Sequence, residues 1–277
     1  MTIEKWLRDS TNLLNTSGIQ SSRLDALILL EYILNKDRTW ILAHPEHVIS
    51  VLETTKLNNV LTKRADNVPI AYIRGKSEFY GREFKVNHFV MQPRPETEAF
   101  IDLLRALMHE EDVSSRLPKT PLLVDVGTGS GAIGTTIALE LQNMDVRLLE
   151  VDADAAKVAK INVDLFTLKI PVIISDLLTN APPKVDIVIA NLPYVPDDYA
   201  INEAAKKEPR KAIFGGPDGL NIYRRMFNDI KNRSYKPLLI LIESFPSQHL
   251  KIAKIAAKSG YLAHSNAGFV QAYILQN

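Results

Sequence analysis

Along the first 74 positions apolar residues recur at three- and four-residue steps, as at Leu24, Leu27, Ile28 and Leu34, with charged residues between them. That is the spacing of helix faces turned to a core. No strand-like alternation interrupts the stretch; Ser21 and Ser22 stand before one run as N-caps, and Pro45 and Pro69 mark breaks between helices. The pattern predicts a helical domain over residues 1–74. It changes between Gly75 and Glu98, where Glu78-Phe79-Tyr80-Gly81 and Glu83-Phe84-Lys85-Val86 read as two short strands about a glycine turn. Gln92-Pro93-Arg94-Pro95-Glu96-Thr97-Glu98 follows, and two prolines flanking an arginine predict a stiff, extended connector, so that residues 75–98 join the helical part to a domain over 99–277. In that last part short apolar runs alternate with longer helical patterns, the texture of a parallel sheet wound with helices. The expected strands are Leu122 to Val126, Val146 to Glu150, Pro171 to Ile174, Val185 to Ala190 and Leu238 to Glu243, with a final apolar run from Phe269 to Leu275.

Composition narrows the picture. A chain of 277 residues with 46% hydrophobic and 23% charged positions is an ordinary globular sequence with ample core. A net charge of +1 argues against holding nucleic acid by bulk electrostatics. With no cysteine, thiolate nucleophiles, disulfides and Cys-ligated metals are excluded. The six histidines show no H-E-x-x-H spacing, so no metal is expected. The N-terminus lacks the apolar run of a signal peptide, and no stretch of about 18 apolar residues occurs, so a cytoplasmic, monomeric protein without a membrane partner is the expectation. Trp6 and Trp40 read as core residues of the helical domain. Lys206, Lys207, Arg210 and Lys211 read first as a solvated helix face and second as an electrostatic contact for a partner.

Candidate chemistry begins at Val124-Asp125-Val126-Gly127-Thr128-Gly129-Ser130-Gly131, which leaves an expected strand and enters the helical Ala132 to Ala138. Glycines there allow a tight turn and close approach of a ligand to backbone. Glu150 ends the next expected strand, where a carboxylate accepts hydrogen bonds from both hydroxyls of a ribose, and the two together describe an adenosine site. Gly129-Ser130-Gly131-Ala132-Ile133-Gly134 also satisfies the GxGxxG dinucleotide pattern, so the loop alone leaves a nicotinamide or flavin cofactor, S-adenosylmethionine and a purely structural turn all open. Asp125 tilts the choice, since Asp-x-Gly-x-Gly-x-Gly resembles the first motif of Rossmann-like methyltransferases.

The second candidate is Asn191-Leu192-Pro193-Tyr194, at the C-terminal end of the fourth expected strand, the edge where open α/β sheets bind ligands. An amide or aryl-amine nitrogen is a poor nucleophile because its lone pair is delocalised. The Asn191 side-chain oxygen and the Leu192 carbonyl can accept its two N–H groups, aim the lone pair and stabilise charge developing on nitrogen. Tyr194 would pack on the planar target, with the chain direction set by Pro193. Standing alone, the tetrapeptide also reads as a strand-end turn.

The tetrapeptide is similar to the (Asn/Asp)-Pro-Pro-(Tyr/Phe) motif of methyltransferases acting on adenine amines and glutamine amides, with Leu192 in place of the first proline. Asn-Leu-Pro-Tyr itself resembles the motif of KsgA-type ribosomal RNA adenine dimethyltransferases. Other segments resemble a different family, the HemK/PrmC protein-glutamine methyltransferases. These are Arg23-Leu24-Asp25-Ala26, Pro69 to Gly75, Glu78 to Gly81, Pro93 to Glu98, Glu208-Pro209-Arg210, Gly215 to Leu220, and Glu243 with Gln248. KsgA-type enzymes carry their extra domain after the core, whereas here the extra domain comes first. The HemK/PrmC resemblance implies a Rossmann-like α/β domain with a mostly parallel seven-stranded sheet. It implies that Gly127, Thr128, Gly129, Ser130, Gly131 and Glu150 hold S-adenosylmethionine, with Asp176 or Leu177 beside the adenine, and leave S-adenosylhomocysteine as product. It further implies that Asn191 to Tyr194 hold the glutamine of a Gly-Gly-Gln tripeptide in a class 1 peptide-chain release factor, gripped by the helical domain, with no direct nucleic-acid partner. Gln92, Ser244 to Ser247 and Gln271 depart from the family pattern.

Overall fold

The computed structural model describes residues 1–276 and divides them into two compact units, Met1–Gly75 with Ile201–Lys207, and Lys76–Ala200 with the described residues from Glu208 onward. The first unit contains α1 (Ile3–Thr16), α2 (Ser22–Leu34), α3 (Arg38–Ala43), α4 (Val51–Ala65) and α5 (Ile70–Arg74). Helix α1 buries Ile3, Trp6, Leu7, Ser10 and Leu14, one face at helical spacing. Helix α4 starts in a capping box, with the Glu53 N–H donating to Ser50 Oγ and the Ser50 N–H to the Glu53 carboxylate.

Helix α2 departs from expectation. Leu24 is 47% exposed whereas Asp25 is 5% exposed, because Asp25 accepts a 2.7 Å ion pair from Arg64 of α4. The buried stripe is therefore Asp25, Ala26, Leu27, Leu29 and Leu30. Ser21 occupies the N-cap position without a side-chain capping bond. Trp6 lies in the core, while Trp40 is half-buried and stacks on His44.

The second unit opens with a hairpin of β1 (Lys76–Phe79) and β2 (Arg82–Lys85). Phe79 pairs with Arg82, so Tyr80 belongs to the turn and not to a strand, and both turn residues, Tyr80 and Gly81, have positive φ (51° and 69°). That is the conformation of a two-residue hairpin turn matched to strand twist. A tyrosine tolerates it here because its N–H donates to Glu98 and its hydroxyl to Asp102. The connector is extended only as far as Arg94; Pro95–Glu98 forms a 3-10 turn, since proline fits the first position of a helix, and it leads into α6 (Ala99–His109) and the short α7 (Glu111–Ser114).

Next come β3 (Leu122–Val126), α8 (Ala132–Glu140), β4 (Asp145–Glu150), α9 (Ala153–Leu165), β5 (Val172–Ile174), β6 (Ile187–Ala190), α10 (Asn221–Asn232), β7 (Leu239–Glu243), α11 (His249–Ala257), β8 (Tyr261–Ala267) and β9 (Val270–Leu275). The strands form one seven-stranded sheet in the order β5-β4-β3-β6-β7-β9-β8, parallel except for β9, which is antiparallel to both neighbours. Alternate residues feed two cores: Ile187, Ile189, Leu239 and Leu241 face the layer of α6, α8 and α9, while Val188, Ala190, Ile240 and Ile242 face α10 and α11. Every residue of β6 and β7 is buried, as in a sheet covered on both faces. The strand order reverses between β3 and β6, which places the C-terminal ends of β3, β4 and β6 around one crevice.

Candidate active site

A cavity of about 370 Å³ occupies that crevice, a size suited to a small-molecule cofactor. Of the residues expected there, Gly127, Thr128, Gly129, Ser130, Glu150, Asp176, Leu177, Asn191, Leu192 and Pro193 line it. Gly131 instead caps α8, and Tyr194 is not among the lining residues.

The glycine loop is held from both sides. The N–H groups of Gly127 and Thr128 donate to the Leu149 carbonyl, and the Gly129 N–H donates to Glu150 Oε2 at 2.8 Å. The Asp152 N–H donates to Glu150 Oε1 at 3.0 Å, so each oxygen of this 7% exposed carboxylate keeps a lone pair for a further donor. Beneath the loop Asp125 is buried and its Oδ2 accepts from Thr128 Oγ1 and the Gly134 N–H. Burial raises its carboxyl pKa to about 6, against the two hydrogen bonds and with a small push from Glu150. At the rim Arg225 pairs with Asp176 and Lys211 with Asp152.

The Asn191-to-Tyr194 segment continues from β6. Its backbone is fixed by Tyr223 of α10, whose hydroxyl accepts from the Leu192 N–H (3.2 Å) and approaches the carbonyls of Glu243 (2.6 Å) and Ala190 (3.2 Å). From the other side Gln248 donates to the carbonyls of Tyr194 and Asp218. Gly219 packs so tightly that a Cβ there would stand 1.9 Å from the Tyr194 oxygen. Asn191 Nδ2 donates to Thr97 Oγ1 at 3.3 Å. The Tyr194 hydroxyl donates to Glu243 Oε1 at 3.0 Å and its ring meets Phe245 edge-on. Burial above all, then the Glu243 charge, raises the Tyr194 pKa, so it stays a neutral donor.

The two motifs touch. Gly127 has φ +70°, and a Cβ there would lie 2.8 Å from Leu192 Cδ2, so the loop's first glycine makes room for the leucine of the second motif.

Several cavity-lining positions were not expected. Phe89, Met91, Pro93, Arg94 and Thr97 line the cavity, so the connector is part of its wall. Arg94 is held by Glu208, which also accepts the Gln92 N–H, so Gln92 contributes backbone and its side-chain identity is free of that contact. The Pro-Arg-Pro-Glu-Thr-Glu and Glu-Pro-Arg segments were visible as motifs, but nothing in their spacing tells that they meet. Two other departures from the family pattern are partners, since Gln271 Nε2 donates to Ser244 Oγ. The basic cluster lies on two 3-10 turns and not on one helix: Lys206 pairs with Glu203, Lys211 with Asp152, and Arg210 covers the Phe214 ring.

This sheet order, with a buried carboxylate at the end of β4 and Asn-Leu-Pro-Tyr at the end of β6, defines a Rossmann-like methyltransferase. The hMettl16 catalytic domain has the same fold, with a TM-score of 0.53 at 12% identity over 79% of this chain and 92% of that one. Residues 5–75 match the PrmC N-terminal domain and residues 106–209 the methyltransferase small domain. The release factor glutamine methyltransferase of Koribacter versatilis is 32% identical over 231 residues, 82% of this chain and 80% of that one. The bifunctional methyltransferase of Rickettsia felis is 32% identical over 285 residues, 94% of this chain but only 54% of that one, so the chain spans about half of it. The chain belongs to the release factor glutamine methyltransferase family.

Proposed function

We propose that the protein transfers a methyl group from S-adenosylmethionine to the side-chain nitrogen of a glutamine, the Gly-Gly-Gln glutamine of a class 1 release factor. The observation that carries this reading is the Asn191 amide. Its Nδ2 end is engaged by Thr97, its Oδ1 end makes no hydrogen bond among the described residues, and the residue lines the cavity that the glycine loop and Glu150 share.

Glu150 fits a ribose, because both oxygens retain acceptor capacity and the loop is already ordered by its contact with Gly129. Gly127 to Ser130 supply close-approaching backbone, and Asp176 and Leu177 supply the wall beside an adenine. S-adenosylmethionine provides an activated methyl group. The protein's part is to hold the acceptor nitrogen: Asn191 Oδ1 and the Leu192 carbonyl accept its two N–H groups, which fixes the lone-pair direction and stabilises positive charge on nitrogen until a proton leaves. Leucine serves as well as proline for this, since the acceptor is main-chain. Pro193 lines the wall, and Tyr194, neutral and tethered through its hydroxyl, supports the segment from behind.

In this reading residues 1–74 grip the body of the release factor, 75–98 form the connector and 99–277 carry the chemistry. The protein works in the cytoplasm as a monomer and needs no direct nucleic-acid contact; no helix among the described residues is long and apolar enough to cross a membrane. Incubation with methyl-labelled donor and either a class 1 release factor or bulk RNA tests the reading. Label in the release factor is expected. Label in RNA alone would replace this reading with the KsgA-like adenine one.

A further inference from the structure

Glu243 is the last residue of β7, 1% exposed and absent from the cavity wall. The parallel pairing of Ala190 with Ile242 sets the next two residues, Asn191 and Glu243, side by side. Glu243 Oε1 accepts from Tyr194, but Oε2 is buried and makes no hydrogen bond of full geometry among the described residues. An ionisable group so placed is costly unless it serves something. Burial pushes its carboxyl pKa up, Thr97, Tyr194 and Asn191 pull it back, and Glu96 adds repulsion. Thr97 is itself 3% exposed, and its hydroxyl accepts from Asn191 Nδ2, which leaves the hydroxyl hydrogen to be donated elsewhere.

We infer that Glu243 is a positioning residue whose buried carboxylate, acting directly and through Thr97, fixes which end of the Asn191 amide faces the cavity and anchors Tyr194. The two ends of an asparagine amide have nearly the same shape and opposite hydrogen-bonding character. A carboxylate behind the side chain attracts the NH₂ end and repels the oxygen end, so Oδ1 is left facing forward. A flipped amide would present N–H to the N–H groups of the target. Glu243 touches neither the cavity nor the target, so its action runs through Asn191 and Tyr194. The inference rests on the nitrogen-holding role proposed for Asn191.

The test is Glu243→Gln in the full chain. Glutamine keeps the shape and an acceptor for Tyr194 but exchanges one carboxyl oxygen for an NH₂ donor, so the Asn191 preference is lost. kcat on the release factor should fall about 100-fold, as for loss of one oriented polar contact, while KM and the donor's dissociation constant stay within about threefold. Independently of turnover, the Asn191 side-chain NH₂ resonance, identified by its disappearance in Asn191→Asp, should be slow to exchange in the parent and fast in Glu243→Gln. The inference is overturned if kcat is retained, if kcat, donor affinity and melting temperature fall together while KM rises, or if the NH₂ exchange is unchanged. Should the parent protein methylate no release factor, the functional reading fails by itself and the exchange measurement still judges the positioning.

Discussion

Replacing Gly127 by alanine adds a single methyl group at the contact between the glycine loop and Leu192. Two terms are expected. An alanine at φ +70° occupies the left-handed region, which costs about 1–2 kcal/mol for a residue with a Cβ. The new carbon also stands 2.8 Å from Leu192 Cδ2, and Leu192 is 4% exposed, so its side chain has little room to retreat. Overpacking of this kind adds about 1–3 kcal/mol. Gly129→Ala is the control, because Gly129 has φ +57° with nothing within 4 Å of a Cβ and should show the backbone term alone. Urea denaturation of both variants, each with and without Leu192→Ala, separates the terms. Leu192→Ala leaves a cavity costing about 2–5 kcal/mol by itself, but with Gly127→Ala the two should be less than additive by about 1–3 kcal/mol, and with Gly129→Ala additive. Equal losses for the two glycine variants, or no coupling to Leu192, would refute the direct contact between the motifs.

Asn191→Ala should reduce kcat by at least about 100-fold with donor affinity changed less than about threefold, measured by steady-state kinetics and calorimetry. Asp25→Ala leaves Arg64 buried without its partner and should destabilise the helical unit by about 3–5 kcal/mol in denaturant melts; a loss below about 1 kcal/mol would mean the pair is solvated. For Asp125 the folded carboxyl pKa is raised from 3.8 to about 6, so the folded state binds this proton more tightly than the unfolded chain. Stability therefore falls as pH rises from about 4 through about 6, by about 3 kcal/mol from this group, and Asp125→Asn should flatten that part of the pH profile. An identical slope in the variant would show that Asp125 is ionised throughout.

Much of this arrangement is legible in the chain because the parallel strands are buried on both faces and read as continuous apolar runs, as Ile187 to Ala190 does. The glycine loop and Asn191 to Tyr194 are contiguous motifs and therefore visible. β8 is the strand that periodicity misses, since only Tyr261 within it is buried and the remaining residues, Leu262 and Ala263 among them, are exposed or half-buried without alternation. Asp25 hides a core position behind a charge that only its distant partner Arg64 explains. The contribution of Thr97, Arg94 and Tyr223 to the site is equally non-local: Tyr223 falls on an ordinary apolar helix face with Met226, Phe227 and Ile230, and nothing in that spacing reveals a hydroxyl bridging β6 and β7.

In the reading proposed above, the nitrogen held by Asn191 belongs to a glutamine. Tandem mass spectrometry of a class 1 release factor after incubation with the protein and S-adenosylmethionine tests it most directly. One added methyl group is expected on the side-chain nitrogen of the Gly-Gly-Gln glutamine, absent when Asn191→Ala replaces the parent protein. An unmodified glutamine beside a methylated adenine in added RNA, or a methyl group that survives Asn191→Ala, would contradict it.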